Sequence, residues 1–513
     1  MALHVSIDQA LQTFRFRADS TPDQETDGLR LRYFILMRLD TVKRTLVGVS
    51  LVCGLWALIL ALSGGGAIYL GSLRLSSSSA RNPLLLALAS GLLAWALALT
   101  TDRESRRRHQ GPMFVTVLAL LAIGLNVMLQ AQPAPPNEFT CYYDQPLRGG
   151  FRFQMNCDAM EFMTLAKDPS RVLTQPIRQG RPLSFAIPAL IALPLGALPD
   201  VDVLPIGPPF QQEYLAFVLV NVATLVCALL FFTWAYERGT GRRGGPEWLF
   251  VMVILAANEI TKMFIWNPHV QIFNLLTPCL AIYLSLRLLE RGAPLSFRLA
   301  LSLGLAMGIG LLEYGSFVVP LLCIIVIHWF VYRRVWHGLI VGGAASLVYL
   351  TWVAFVRLQT GTFYNHEVEQ YRQFVWIVDC IRAGTCRETI GGHYVAFFNA
   401  TAPIIVVPTL LAAGFRIARA LSINNDNAPM PRALLQACAI TWVVTFVFLA
   451  LAGFYSPRLS WLLVPPMLML VAIEARALWD TLPTRRPWAI SIALATVCMG
   501  YVLLLASRQG PFW

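Results

Sequence analysis

The sequence predicts an all-α polytopic membrane protein of about thirteen transmembrane helices, with a long first outer loop that contains short interfacial helices. Three observations carry this. Of 513 residues, 57% are hydrophobic and only 13% are charged, where a soluble domain carries about 25% charge. Mean hydropathy is +0.60. Apolar runs near the ~20 residues that cross a bilayer core recur along the whole chain.

Taken in order, the runs predict spans at 46–72, 84–100, 113–131, 214–236, 248–266, 272–290, 299–315, 317–333, 338–356, 394–415, 433–454, 460–479 and 488–507. The first 45 residues are polar, of mixed charge, and hold no apolar core of a signal peptide. They read as a cytoplasmic tail. With that tail inside, alternation places TDRESRRRHQG (101–111), RGTGRRGG (238–245), RGAPLSFR (291–298), the Arg333–Arg334 pair, loop 416–432 and TLPTRRP (481–487) on the same side. These are the basic short loops, as cytoplasmic loops should be. The net charge of +12 therefore belongs to membrane topology rather than to nucleic-acid binding.

Loops 131–213 and 357–393 fall outside. Between them they hold the four cysteines that lie in polar loops, Cys141 with Cys157 and Cys380 with Cys386. Two close pairs predict two disulfides in an oxidising compartment, against the alternative of four free thiols. The other six cysteines lie inside apolar runs and read as packing residues. AIPALIALPLGALP (186–199) is apolar but short and holds three prolines. Counted as a span it would reverse every later basic loop, so it reads as helix in or dipping into the outer interface.

Polar groups gather at the outer ends of spans. Loop 131–213 carries Asp158, Glu161 and Asp168, followed by Arg171, Arg178 and Arg181. WNPHVQIFN (266–274) places His269 in a tight outer turn. Glu313 and Tyr314 end one span, Arg458 opens another, and loop 357–393 adds His366 and Glu367. Each has a bland counterpart: a solvated loop charge, an interfacial histidine, a snorkelling acid, an anchor that sets helix depth. Glu259 and Lys262, three apart in span 248–266, read as an intramembrane pair.

The pattern resembles the GT-C superfamily of glycosyltransferases, integral membrane enzymes that take a sugar from a polyprenyl-phosphate carrier on the outer face. The resemblance lies in NCDAMEFMTLA, similar to the family's D-x-x-x-[FY]-x-x-x-A pattern in its first outer loop, in the short helices after it, and in PRLSWLLVPPMLML, similar to the late R-[YL]-x-x-x-x-x-P motif. It covers about residues 113–480. Tail 1–45, two additional helices in 46–112, and a last helix with the C-terminus in 481–513 lie outside it. The resemblance implies Asp158 as general base and leaves Glu161, Glu313 or Glu367 to supply any second catalytic carboxylate. It implies Arg458 at the carrier phosphate, and Arg171, Arg178, Arg181, His269, Tyr314 and His366 are read from their positions as further donor or phosphate contacts. Many members carry a second acid beside the first, whereas Cys157 and Ala159 flank Asp158 here, so a divalent metal is compatible but not indicated, and no metal ligand is assigned. Implied partners are a polyprenyl-phosphate sugar, a glycan, glycolipid or protein acceptor, and the bilayer. The implied location is a bacterial inner membrane with the site facing the periplasm.

The residues fit that chemistry without the family. An acceptor hydroxyl needs a base, attack opposite the leaving group inverts the anomeric centre, and cations stabilise the departing phosphate. Two alternatives stand beside it: an O-antigen polymerase or ligase, which relies mainly on loop arginines, and a transporter or lipid flippase.

Overall fold

A computed structural model describes residues 41–57, 60, 66–70, 73–77, 81–101, 142–146, 152–156, 158–196, 210–242, 245–364, 372–421 and 431–481. Among these the chain is predominantly helical. Six helices are long and apolar enough to cross a membrane. They are α5 (Gln211–Thr240), α8 (Phe273–Arg291), α11 (Val335–Thr360), α13 (Cys386–Ala420), α14 (Arg432–Ala452) and the continuous segment Pro457–Leu478, which opens as α15 (Pro457–Ser460) and continues as α16 (Val464–Thr481).

The remaining helices are α1 (41–57), α2 (Arg81–Thr101), α3 (Asp158–Lys167), α4 (Leu183–Leu195), α6 (Pro246–Ala256), α7 (Glu259–Phe264), α9 (Phe297–Glu313), α10 (Val318–Val326) and α12 (Trp376–Ala383). Two short antiparallel pairs depart from the all-helical expectation: β1 (Gly66–Leu70) with β2 (Leu73–Ser77), and β3 (Tyr142–Pro146) with β4 (Arg152–Asn156).

Burial orders the helices. The most apolar 18-residue stretch of Pro457–Leu478 is 83% buried, while those of α11 and α13 are each only 22% buried. The former is the centre of the bundle and the latter two its flanks. α9 and α11 approach closely because Gly304 and Gly308 face backbone: a Cβ on either would stand 2.5 Å and 2.8 Å from the carbonyl oxygens of Val341 and Ala345. Small residues allow such approach where side chains gain nothing from leaving lipid. α5 stops at Gly241, whose φ of +65° suits a residue without a side chain.

Three expectations change. The predicted span 46–72 is helical over 41–57, but its last part forms β1. The alternation GAIYL, LRLSS with β-branched and aromatic residues favours a ladder there over helix. The predicted span 248–266 is broken into α6 and α7 at Ala257–Asn258. Asn258 causes the break: its side chain accepts from the Thr261 N–H and donates to the Leu255 carbonyl (3.0 and 2.6 Å), capturing backbone groups a continuous helix would use. α13 starts at Cys386, eight residues before the predicted span 394–415. Predicted spans 113–131 and 488–507 lie outside the described residues. α4 has 13 residues, a rise of about 20 Å at ~1.5 Å each, short of a bilayer core.

The bundle has two distinguishable ends. At one, the last turn of α5 meets the last turn of α8 through Arg238 and Glu290. At the other, the first half of α5 meets α3 and the turn between α7 and α8 (Phe162–Phe217 ring centroids 5.9 Å apart; Asn221 to Phe264).

Candidate functional site

The second end gathers the chemistry. α3 begins at Asp158, directly after β4, and Asp158 and Glu161 lie three apart on one face of its first turn. Acids are favoured at a helix N-terminus. The opposite face is apolar: Ala159, Phe162, Met163, Leu165 and Ala166 are buried.

Arg178 comes from the short turn Pro176–Arg178 and lies over the Phe162 ring at 4.4 Å. Its Nε and one terminal nitrogen donate to the same oxygen of Glu161, at 3.3 and 3.0 Å, and that nitrogen stands 3.6 Å from Asp158. The two acids are therefore not equivalent. Glu161 is the carboxylate that Arg178 grips, whereas the Asp158 side chain is 50% exposed.

The turn carrying Arg178 is held from outside. Trp352 of α11 donates its indole N–H to the Gln179 carbonyl (2.6 Å). Gly180 lies flat against Tyr364, where a Cβ would meet the ring at 2.5 Å.

His269 sits in the turn between α7 and α8. Asn221, alone among apolar neighbours of α5, donates to the carbonyls of Phe264 and Asn267 (2.8 and 2.7 Å) and fixes that turn. The His269 ring is buried between Phe162 and Phe264, with centroids at 5.1 and 4.8 Å. Its Nδ1 accepts the Val270 N–H at 2.9 Å, so the ring proton is on Nε2, which faces Asp158 at 3.9 Å. Burial, and then the positive charges of Arg178, Arg458 and Arg181, hold its pKa well below the usual 6.5. The ring is a neutral spacer between an acid and three cations.

Arg458 and Arg181 complete the group. Arg458 lies on α15, capped by Ser456, whose hydroxyl accepts the Arg458 N–H (3.3 Å). Its guanidinium is 5.8 Å from the Phe264 ring, and that of Arg181 is 5.2 Å from the Tyr314 ring. A hydrogen-bonded chain ties the two supports together. Tyr314 donates to Gln271 (2.8 Å), and Asn274 donates both to Gln271 (2.6 Å) and to the Arg458 carbonyl (3.1 Å).

Other predicted residues fall elsewhere. Arg171 makes an exposed pair with Asp168 (3.2 Å), whose pKa is lowered first by its hydrogen bond from Ser170. Glu313 is buried beside Tyr314, and neither of its carboxyl oxygens meets a hydrogen-bond donor among the described residues. Cys380 and Cys386 are joined in a disulfide. Cys141, Cys157 and His366 lie outside the described residues. Among the described residues no three His, Cys, Asp or Glu side chains gather as metal ligands.

Sequence reasoning missed the scaffold: Asn221, Trp352, Gly180 and the rings of Phe162 and Phe264. Asn221 carried a signal, a polar residue inside an apolar run, which is costly unless it is hydrogen-bonded. No protein-family model, characterised protein or solved structure matches the chain.

Proposed function

We propose that the chain is a membrane glycosyltransferase. It moves a sugar from a polyprenyl-phosphate donor to an acceptor hydroxyl, with inversion, at the end of the bundle that holds Asp158. One observation carries the reading: an accessible carboxylate, a neutral histidine and three arginines converge from the 158–181 loop, the 265–272 turn and α15. The acceptor oxygen attacks the anomeric carbon as its proton passes to Asp158. The bond from that carbon to the phosphate oxygen breaks, and its electron pair leaves with the phosphate. Arg178, Arg181 and Arg458 supply positive charge where the phosphate's negative charge grows. Because His269 is neutral, it faces Asp158 without forming an ion pair that would compete for the acceptor proton.

In this reading the chain crosses the membrane thirteen times, as the basic loops suggest, and the site faces the periplasm of a bacterial inner membrane. Glu161 positions Arg178 rather than acting as base. The surplus of arginine would also suit a polymerase or ligase of lipid-linked glycans, but those rely mainly on loop arginines, and the carboxylate beside the cations favours the transferase. The broken helix α6–α7, with Lys262 buried just past the break, favours a transporter as the second reading, since transporters bind at discontinuous helices.

The test is transfer from a panel of labelled polyprenyl-phosphate sugars by purified protein in lipid. Asp158→Asn is expected to lose at least ~100-fold of the rate, the scale of a general base, with an unchanged melting temperature. Full transfer by that variant would remove Asp158 from its role.

A further inference from the structure

The segment 372–386 lies outside the site and has its own design. Arg372 and Phe374 have φ of +51° and +61°, strained for residues with side chains. Such bends persist only where surroundings hold them. Here Arg372 donates through Nε to Asp379 on α12 (2.9 Å), and the Phe374 N–H donates to the Ala452 carbonyl at the end of α14 (3.3 Å). The bend turns Phe374 outward.

α12 then presents two faces. Trp376 and Cys380 point inward: the indole N–H donates to the Leu451 carbonyl (3.0 Å), the ring covers Gly453, and Cys380 bonds to Cys386. Val378 and Ile381, three apart on α12, point outward and are 45% and 67% exposed; Phe374, just before the helix, is 47% exposed with its ring 5.9 Å from that of Phe448. Such exposed apolar side chains need a cover.

The position of α13 says what the cover is. At 35 residues and ~1.5 Å per residue, α13 is about 52 Å long, against a hydrocarbon core of about 30 Å. Part of α13 therefore lies outside the core, and the disulfide fastens α12 to its first residue. Exposed apolar residues recur along α13, at Ile390, Tyr394 and Val395 and again at Val406, Val407 and Leu410. Exposed Arg382 and Arg387, with exposed Glu388 beside them, give the turn between the two helices a polar edge.

We propose that α12 is seated in the membrane surface: Phe374, Val378 and Ile381 lie at the boundary of headgroups and acyl chains, in the same bilayer that α13 crosses. Through the Trp376 bond to Leu451 and the Phe374 bond to Ala452, this segment fixes the depth of the 453–456 connection that leads to Arg458. The seating does not depend on the transferase reading; only the consequence for Arg458 does.

Photo-crosslinking in lipid nanodiscs tests it. A benzophenone amino acid is placed at Val378, at Ile381, and at Leu410 in the middle of α13 as the lipid-facing standard. The expected result is a mass increase of one phospholipid at all three positions. Lipid adducts at Leu410 with protein–protein adducts at Ile381 would assign the stripe to a second copy and overturn the proposal. Lipid adducts at Leu410 with none at Val378 or Ile381 would place α12 in water and overturn it equally.

Discussion

The two ends of the bundle handle charge differently. At the end where α5 and α8 finish, acids and arginines pair: Arg238 with Glu290, Arg476 with Glu247 (3.5 Å) and Arg419 with Glu474 (3.2 Å). Glu247, 1% exposed, also accepts from the Tyr236 hydroxyl and the Gly245 N–H, both at 2.9 Å. At the end built around α3, Arg178 serves two acids, Arg181 and Arg458 rest near aromatic rings, and a histidine is kept neutral among them. A neutralised pair holds helices together. In the proposed function, the guanidiniums near rings serve the donor phosphate and the half-exposed carboxylate serves the acceptor. The first arrangement is read as structural and the second as functional for that reason, although both ends contain the same residue types.

This contrast can be broken by substitution, and the largest effect is expected at the paired end. Glu247→Ala leaves Arg476 without its buried partner and should cost on the order of 3–5 kcal/mol, read as a marked fall in melting temperature in detergent. Arg458→Ala should do the reverse. It should leave the melting temperature nearly unchanged while donor-phosphate affinity falls by about 10–100-fold, the value of a hydrogen bond to a charged group at about 1.5–3 kcal/mol. Equal losses of stability from both would erase the distinction between the ends.

pH sharpens it next. The pKa of His269 in the folded protein is depressed below 6.5, so between that depressed value and 6.5 the unfolded chain binds a proton that the folded one does not. The contribution is complete above pH 6.5 and is lost as pH falls through that window. His269→Gln should therefore flatten the fall in melting temperature between pH 7.5 and 5 relative to the unaltered protein. An identical fall in both would show that His269 is not the group responsible. The smallest effect belongs to Arg171→Ala, which removes an exposed pair with Asp168. It should leave both the melting temperature and donor binding nearly unchanged, because solvent screens such a pair.

Much of this was legible in the sequence, unevenly. Hydropathy located the long helices, because a bilayer demands continuous apolar length. It could not see the break at Asn258, since two residues vanish in a window of twenty; the run Asn258-Glu259-Ile260-Thr261 is nonetheless a helix-start signal. The residues at the second end were each visible as polar groups beside a span. Their meeting was not, because Asp158, His269 and Arg458 are brought together by Asn221, Trp352 and the Gln271–Asn274 bonds, contacts between positions far apart in the chain. The unequal roles of Asp158 and Glu161 were also hidden: spacing puts both on one face, and only the placement of Arg178 separates them.

The most direct test of the account is binding of a lipid phosphate by purified protein, followed as a shift in melting temperature. Polyprenyl phosphate should raise the midpoint of the unaltered chain and polyprenol, lacking the phosphate, should not. The shift should disappear in Arg458→Ala and persist in Arg238→Ala, which alters the opposite end. A shift of the same size with polyprenol, or one that survives Arg458→Ala and is lost in Arg238→Ala, would contradict the assignment of the α3 end as the phosphate-binding site.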